Sequence, residues 1–154
     1  MTSHRDAARS MTAECLCFRA RRVSRALTRL YDEALRPLDI HATQLTLLNA
    51  IAMCGARGGA MGRLADVLAM DTTTLSRNLR PLERAGLVRL ERLPADRRVR
   101  MAFVTTDGER MIAAALPLWN RAHERVLAAL GAVEAADLRV RFDATSAAAM
   151  SISP

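Results

Sequence analysis

Two helical stripes separated by a few residues, then an alternating hairpin, fill residues 61–105. That succession constrains the fold more than any other feature of this 154-residue chain. The first segment, Met61-Gly-Arg-Leu-Ala-Asp-Val-Leu-Ala-Met70, carries Leu64, Val67 and Leu68 at helical spacing, and Asp71 interrupts it. Asp71 ahead of Thr72-Thr73-Thr74 is an N-cap signal, because its short carboxylate accepts free amide hydrogens at the positive end of a helix. A second helix is therefore predicted to start near Thr72, with Leu75, Leu79 and Leu82 at i, i+4 and i+7 as its buried stripe. Pro81 predicts a bent last turn, and Gly86 reads as the C-cap. Leu87-Val-Arg-Leu-Glu-Arg92 then alternates like a half-buried strand, and Val99, Met101 and Phe103 alternate on the return. Between them, Leu93-Pro-Ala-Asp-Arg-Arg98 has the chemistry of a hairpin loop.

The second helix should turn Thr72, Thr73, Ser76, Arg77 and Arg80 outward, with Thr74 close by and Asn78 at the border of that face. These groups suit a major groove, where Arg pairs with guanine, Asn with adenine, and Thr methyls touch thymine. Charge agrees. Residues 72–100 hold eight arginines against Glu83, Glu91 and Asp96, so 8 − 3 = +5 of the chain's net +7 lies there. The alternative is a GC-rich genome that uses arginine for lysine throughout, since all 23 basic residues are arginine. That accounts for the residue type and not for its concentration on one helix face and one hairpin. Double-stranded DNA is the expected partner.

The stretch LADVLAMDTTTLSRNLRPLERAGLVRLERLPADRRVRMAFVTTDGE resembles the winged helix-turn-helix core of the MarR family of bacterial transcription regulators. The resemblance implies a mainly α fold with a small β-hairpin wing. It also implies an intertwined homodimer, with N- and C-terminal helices forming the interface and two recognition helices about one DNA turn apart on a palindromic operator. The family's wing carries an Asp-x-Arg element with an Arg four residues ahead, and Arg92, Asp96 and Arg98 stand at that spacing. By resemblance Arg98 enters the minor groove, Asp96 orients it by a charge-assisted hydrogen bond, and Arg92 and Arg97 touch phosphates or brace the wing.

Length and a half-apolar composition fit one domain. Residues 1–10 read as a loose tail and 11–154 as a single MarR-like domain, with 11–56 and 105–154 for dimerisation and 57–104 for DNA binding. No apolar run suits a membrane span and no signal peptide is evident, so a cytoplasmic protein without a membrane partner is expected. A long helix over Thr12 to Leu35 is predicted from Leu16, Ala20, Val23, Leu27, Leu30 and Ala34, a seam suited either to a partner helix or to an ordinary core. His41 before Ala-Thr-Gln should help start the helix that holds Leu45, Leu47, Leu48 and Ile51. A further long helix starts near Thr105 or Thr106, where Thr106-Asp-Gly-Glu109 can form a capping box, and runs to about Leu130. Its apolar row is Met111, Ala115, Leu118, Ala122, Val126 and Ala129. Pro117 should kink it and Gly131 end it. Leu138, Val140 and Phe142 alternate as in a strand, but the surrounding helix formers favour a last helix.

Cys17, within Leu16-Cys17-Phe18, resembles the sensor thiol of the family's hydroperoxide-sensing branch, and Tyr31 stands fourteen residues on, where that branch has a partnering tyrosine. Arg21 and Ala42 occupy two positions where the branch has further tyrosines. Free cysteines are more often small buried apolar residues, so both readings stand. Cys15 and Cys17 project roughly 200° apart on a helix and cannot chelate one ion together. His4, His41 and His123 lack companions at ligand spacing, and neither a nucleophile elbow nor a phosphate loop is present. No catalytic residue, metal or cofactor is therefore expected. The reading is a repressor released by a small aromatic or phenolic effector, the pocket for which is implied by resemblance alone. The alternatives are a Cys17 oxidant sensor and a ligand-independent DNA-binding module.

Overall fold

The computed structural model describes residues 3–94 and 96–152, apart from the Arg97 side chain. Its helices are α1 (His4–Glu14), α2 (Leu16–Leu35), α3 (Ala42–Ala52), α4 (Met61–Val67), α5 (Thr72–Arg84), α6 (Thr106–Leu130) and α7 (Ala132–Ile152). Strands β1 (Gly59–Ala60), β2 (Val88–Leu93) and β3 (Asp96–Val104) form one antiparallel sheet in the order β1-β3-β2. This is the mainly α architecture with a small β wing that the resemblance implies.

The core lies where α3, α5 and the sheet meet. Leu45, Leu48 and Ile51 from α3 pack with Leu75, Leu79 and Leu82 from α5, and with Val88 and Ala102 from the sheet. The α5 stripe matches its predicted spacing, with all three leucines at most 1% exposed. His41 starts α3 as expected, its main-chain N–H donating to Gln44 Oε1 at 2.9 Å. Asp32 Oδ1 accepts the N–H of Ala42 at 2.7 Å and so anchors that helix start to α2. α2 in turn packs against α3 and α6.

Several local expectations need correction. Residues 4–10, read as part of a loose tail, belong to helix α1 (His4–Glu14), none of whose residues is buried. The helix expected from Thr12 breaks at Cys15, which is extended (φ −70°, ψ 111°) and caps α2 by accepting the N–H of Phe18 on its Sγ at 3.3 Å. The first helix of the pair stops at Val67 rather than Met70, and Val67 points to solvent. Its true buried face is Met61, Leu64, Ala65 and the half-buried Leu68, the i, i+3, i+4, i+7 set from which Val67 falls away.

In the wing, strand structure runs to Leu93 and resumes at Asp96, so both ends of the expected six-residue loop belong to the strands. Val88 pairs with Val104 and Leu90 with Ala102, and Ala102 is fully buried. Met101 and Phe103 lie on the opposite face. There the Phe103 ring abuts Gly58, and the Arg89 guanidinium stacks on it 4.1 Å from the ring centre. Arg89 is also ion-paired with Glu91.

Thr105, rather than Thr106, caps α6, its Oγ1 accepting the N–H of Gly108 at 3.1 Å. α6 continues through Pro117 to Leu130, with Ala115 and Ala122 buried and Ala129 exposed, and Gly131 closes it at φ 91°. Residues 132–152 are helical, as the composition favoured over alternation.

Candidate nucleic-acid interface

Helix α5 is fixed at both ends by its own sequence. At the start, Asp71 Oδ1 accepts the N–H of Thr74 at 2.7 Å while Asp71 Oδ2 accepts the Thr74 hydroxyl at 2.6 Å. The hydroxyl contact first, and the amide second, hold the Asp71 carboxyl below its ordinary value. At the end, Gly86 adopts φ 72°, its N–H donating to Glu83 O and the Leu87 N–H to Leu82 O. That is a Schellman ending, in which only glycine avoids a left-handed penalty. Thr105 Oγ1 then donates to Gly86 O at 2.6 Å, tying the helix end to the start of α6.

With the stripe buried, Thr73, Arg77, Arg80 and Arg84 share the outer face, and the three arginines are exposed. Thr72 is exposed and Ser76 half-buried on the side facing the wing. Thr74 differs from the other predicted contacts, since its hydroxyl is engaged by Asp71. Asn78 is half-buried with its amide 4.0 Å from Met70 Sδ, at the border as expected.

In the wing, Asp96 Oδ1 accepts the main-chain N–H of Arg98 at 2.9 Å. The expected orienting contact to the guanidinium is thus a main-chain contact, which shapes the turn and leaves the exposed Arg98 side chain to project. Between Arg92, paired with Arg100, and Leu93, paired with Asp96, the register shifts, so residues 97–99 bulge from the ladder. Arg92 is exposed on β2. The Arg97 side chain lies outside the described residues.

A cleft of about 630 Å³ joins the two elements, lined by Thr72, Thr73 and Ser76 of α5 and by Arg98 and Arg100 of β3. Gly62 and Arg63 of α4 also line it, together with the apolar Ala60, Met61 and Val99. The helix start and the arginine-bearing wing therefore face one space. Among the described residues, Arg63, Arg77, Arg80, Arg98 and Arg100 have no ion-pair partner, so their charge is directed to solvent. Sequence reasoning missed Arg63, Arg84 and Arg100. Arg84 was findable at i+7 from Arg77, whereas Arg63 sits on a helix whose outward face carried no pattern.

The thiol candidates do not converge within one chain. Cys17 is exposed, its Sγ accepting from Arg21 Nε at 3.4 Å. Tyr31 lies fourteen residues along α2, roughly 21 Å away at a helical rise of about 1.5 Å. Tyr31 instead stacks on Trp119 (6.0 Å between ring centres), which stacks on His123 (4.4 Å), and the Tyr31 hydroxyl lies 3.1 Å from His123 Nδ1. Burial pushes the Tyr31 phenol above its usual value. Among the described residues no group of His, Cys, Asp or Glu could hold a metal ion.

A two-helix reader with a capped, arginine-faced second helix and an adjoining basic hairpin defines a winged helix-turn-helix DNA-binding protein. The MarR family model matches residues 38–99. The chain is 33% identical over 96 residues to the transcriptional regulator HosA of Escherichia coli O111:H-, a match covering 62% of this chain and 70% of that protein. The crystal structure of M. tuberculosis MosR in complex with DNA superposes with a TM-score of 0.82 at 33% identity, over 92% of this chain and all of that one. A point mutant of Escherichia coli MarR complexed with operator DNA gives a TM-score of 0.76 at 29% identity, over 88% and 96% of the two chains. The chain belongs to the MarR family of transcriptional regulators, which act on DNA and are not enzymes.

Proposed function

We propose that this regulator works as a homodimeric repressor that occupies a palindromic operator and leaves it when a small aromatic or phenolic ligand binds. The observation that carries the DNA reading is the shared cleft, which presents Thr72, Thr73, Ser76 and Arg98 together. Thr73, Arg77 and Arg80 read base edges, with Thr72, Ser76 and Asn78 beside them. Arg98 enters the minor groove, and Arg92 and Arg97 meet phosphates.

Pairing is supported by apolar surface that one chain leaves uncovered. Leu16, Phe18 and Val23 on α2, and Val133, Val140 and Phe142 on α7, are all exposed. Their burial against a second copy is the ordinary fate of such surface. The aromatic stack of Tyr31, Trp119 and His123, set where α2 meets α6, supports an effector with a flat ring. Among the described residues no helix is long and apolar enough to cross a membrane. A regulator that acts on bacterial DNA works in the cytoplasm, and that is the compartment this reading assigns.

Sedimentation of the purified protein should give the mass of two chains, and Val23→Arg should give one. Genomic fragments captured by the protein should shift in a gel and be released by a phenolic acid. Single-chain mass in the parent, or capture without sequence preference, contradicts the reading.

A second reading is favoured by the exposure of the Cys17 thiol and by the Arg21 guanidinium 3.4 Å from its Sγ. In that case cumene hydroperoxide abolishes the gel shift and Cys17→Ser retains it. Undiminished binding by the oxidised parent excludes it.

A further inference from the structure

Asn78 stands at the border of the α5 face, and the acceptor its amide meets is a thioether: Asn78 Nδ2 lies 4.0 Å from Met70 Sδ, across the turn between α4 and α5. A thioether is a weak acceptor, and at that distance it holds the amide loosely. The amide is kept beside the reading face and stays free to pair with a base. We propose that Met70 is an oxidation site that controls this amide: as the sulfoxide it captures Asn78 and withdraws it from DNA. The proposal rests on the DNA-binding reading above and adds a modification site and its regulation to it.

The 4.0 Å separation is too long for a strong bond to sulfur. An oxygen one bond away from Sδ, on the side of Asn78, falls within the ordinary N–H···O range of about 2.7–3.2 Å. Oxidation thus turns a loose contact into a firm hydrogen bond, because the sulfoxide is polar where the thioether is not. With hypochlorous acid as oxidant, Sδ gains one oxygen and gives up two electrons, chlorine leaves as chloride, and the proton is released. Sulfoxide reductases remove the oxygen as water at the expense of a dithiol.

The surroundings of Met70 suit a reversible change. Its side chain is half-buried, which leaves a small oxidant access to the sulfur. Met61 lies in the hydrophobic core and Met111 packs against it, whereas Met70 does neither, so oxygen on its sulfur puts no polar group in the core. Met11, Met53 and Met150 are exposed, but they lie on α1, just after α3 and on α7, outside the two-helix reader.

The test is fluorescence anisotropy with two labelled duplexes, one of random sequence and one captured by the protein from genomic DNA, using Cys17→Ser protein so that the thiol reading is out of play. After treatment with hypochlorous acid, the tryptic peptide 64–77, whose only methionine is Met70, should carry one added oxygen. The treated protein should lose its preference for the captured duplex roughly tenfold while keeping its affinity for the random one and its thermal melting. Methionine sulfoxide reductases for both epimers, with dithiothreitol, should restore the preference, and dithiothreitol alone should not. Met70→Leu should hold its preference through the treatment, and Asn78→Ala should start with a reduced preference and lose no more. If the untreated protein binds neither duplex, or both alike, the DNA-binding reading fails. If treated Met70→Leu loses its preference as its parent does, or peptide 64–77 stays unoxidised, or carries the oxygen with no loss of preference, the Met70 switch is wrong.

Discussion

Thr105 Oγ1 donates a hydrogen bond of 2.6 Å to the carbonyl of Gly86, so the residue that caps α6 also holds the end of α5. The main-chain N–H of Thr105 adds a second tie, to Leu87 O at 3.1 Å. One threonine thus couples a helix of the proposed dimer interface to the helix proposed to read DNA. Thr105→Val keeps the shape and removes both hydroxyl contacts. It should cost about 1–2 kcal/mol in chemical denaturation, with Thr105→Ser recovering most of the loss.

The turn between α4 and α5 places Ala69 at φ 50°, where a Cβ is unfavourable. Ala69 N–H donates to Asp66 O and Met70 N–H to Ala65 O, the same ending that Gly86 makes without penalty. Ala69→Gly should therefore stabilise the protein by about 1 kcal/mol, offset in part by glycine's freedom in the unfolded chain. A loss of stability would show that the Ala69 methyl is needed for packing.

The cap at Asp71 predicts a pH dependence of known sign. Its folded carboxyl is held below the ordinary value of 3.8, mainly by the Thr74 hydroxyl. Its contribution to stability is then complete above that ordinary value and is lost as pH falls through the lower folded one. Asp71→Asn can still accept the Thr74 amide and has no such titration. Thermal midpoints of parent and variant, measured from neutral pH to about pH 2.5, should converge at the acid end. A constant gap contradicts the assignment.

Arg77 and Arg98 should fail differently. Arg77→Ala, on the outer face of α5, should narrow the preference for captured over random duplex by about 1–3 kcal/mol. Arg98→Ala should weaken both duplexes and lower the salt slope by about one. Equal effects of the two changes on specificity would undo the division of labour between helix and wing.

What the sequence made legible was local. The Leu75, Leu79 and Leu82 stripe, the Asp71 cap and the Gly86 ending each depend on residues within one or two turns, and the structure places them as read. What it hid depends on partners distant in sequence. Ala102 is buried because β1 on one side and β2 on the other fix the register of β3, which puts Met101 and Phe103 on the far face. The break at Cys15 carries no glycine or proline to announce it. Of the interface, the α5 face was readable from periodicity and the wing from resemblance. Arg63 emerged only when three elements closed on one cleft.

If each chain offers α5 and the wing together, and two chains offer them in register with DNA, the protein should leave a patterned footprint. Hydroxyl-radical cleavage of a genomic fragment captured by the protein reads that pattern. Two major-groove protections should appear, centred about 10 base pairs apart or a multiple of that spacing, each flanked by a protected minor groove. A single protected patch, or two major-groove patches with unprotected minor grooves, would contradict the proposed binding mode.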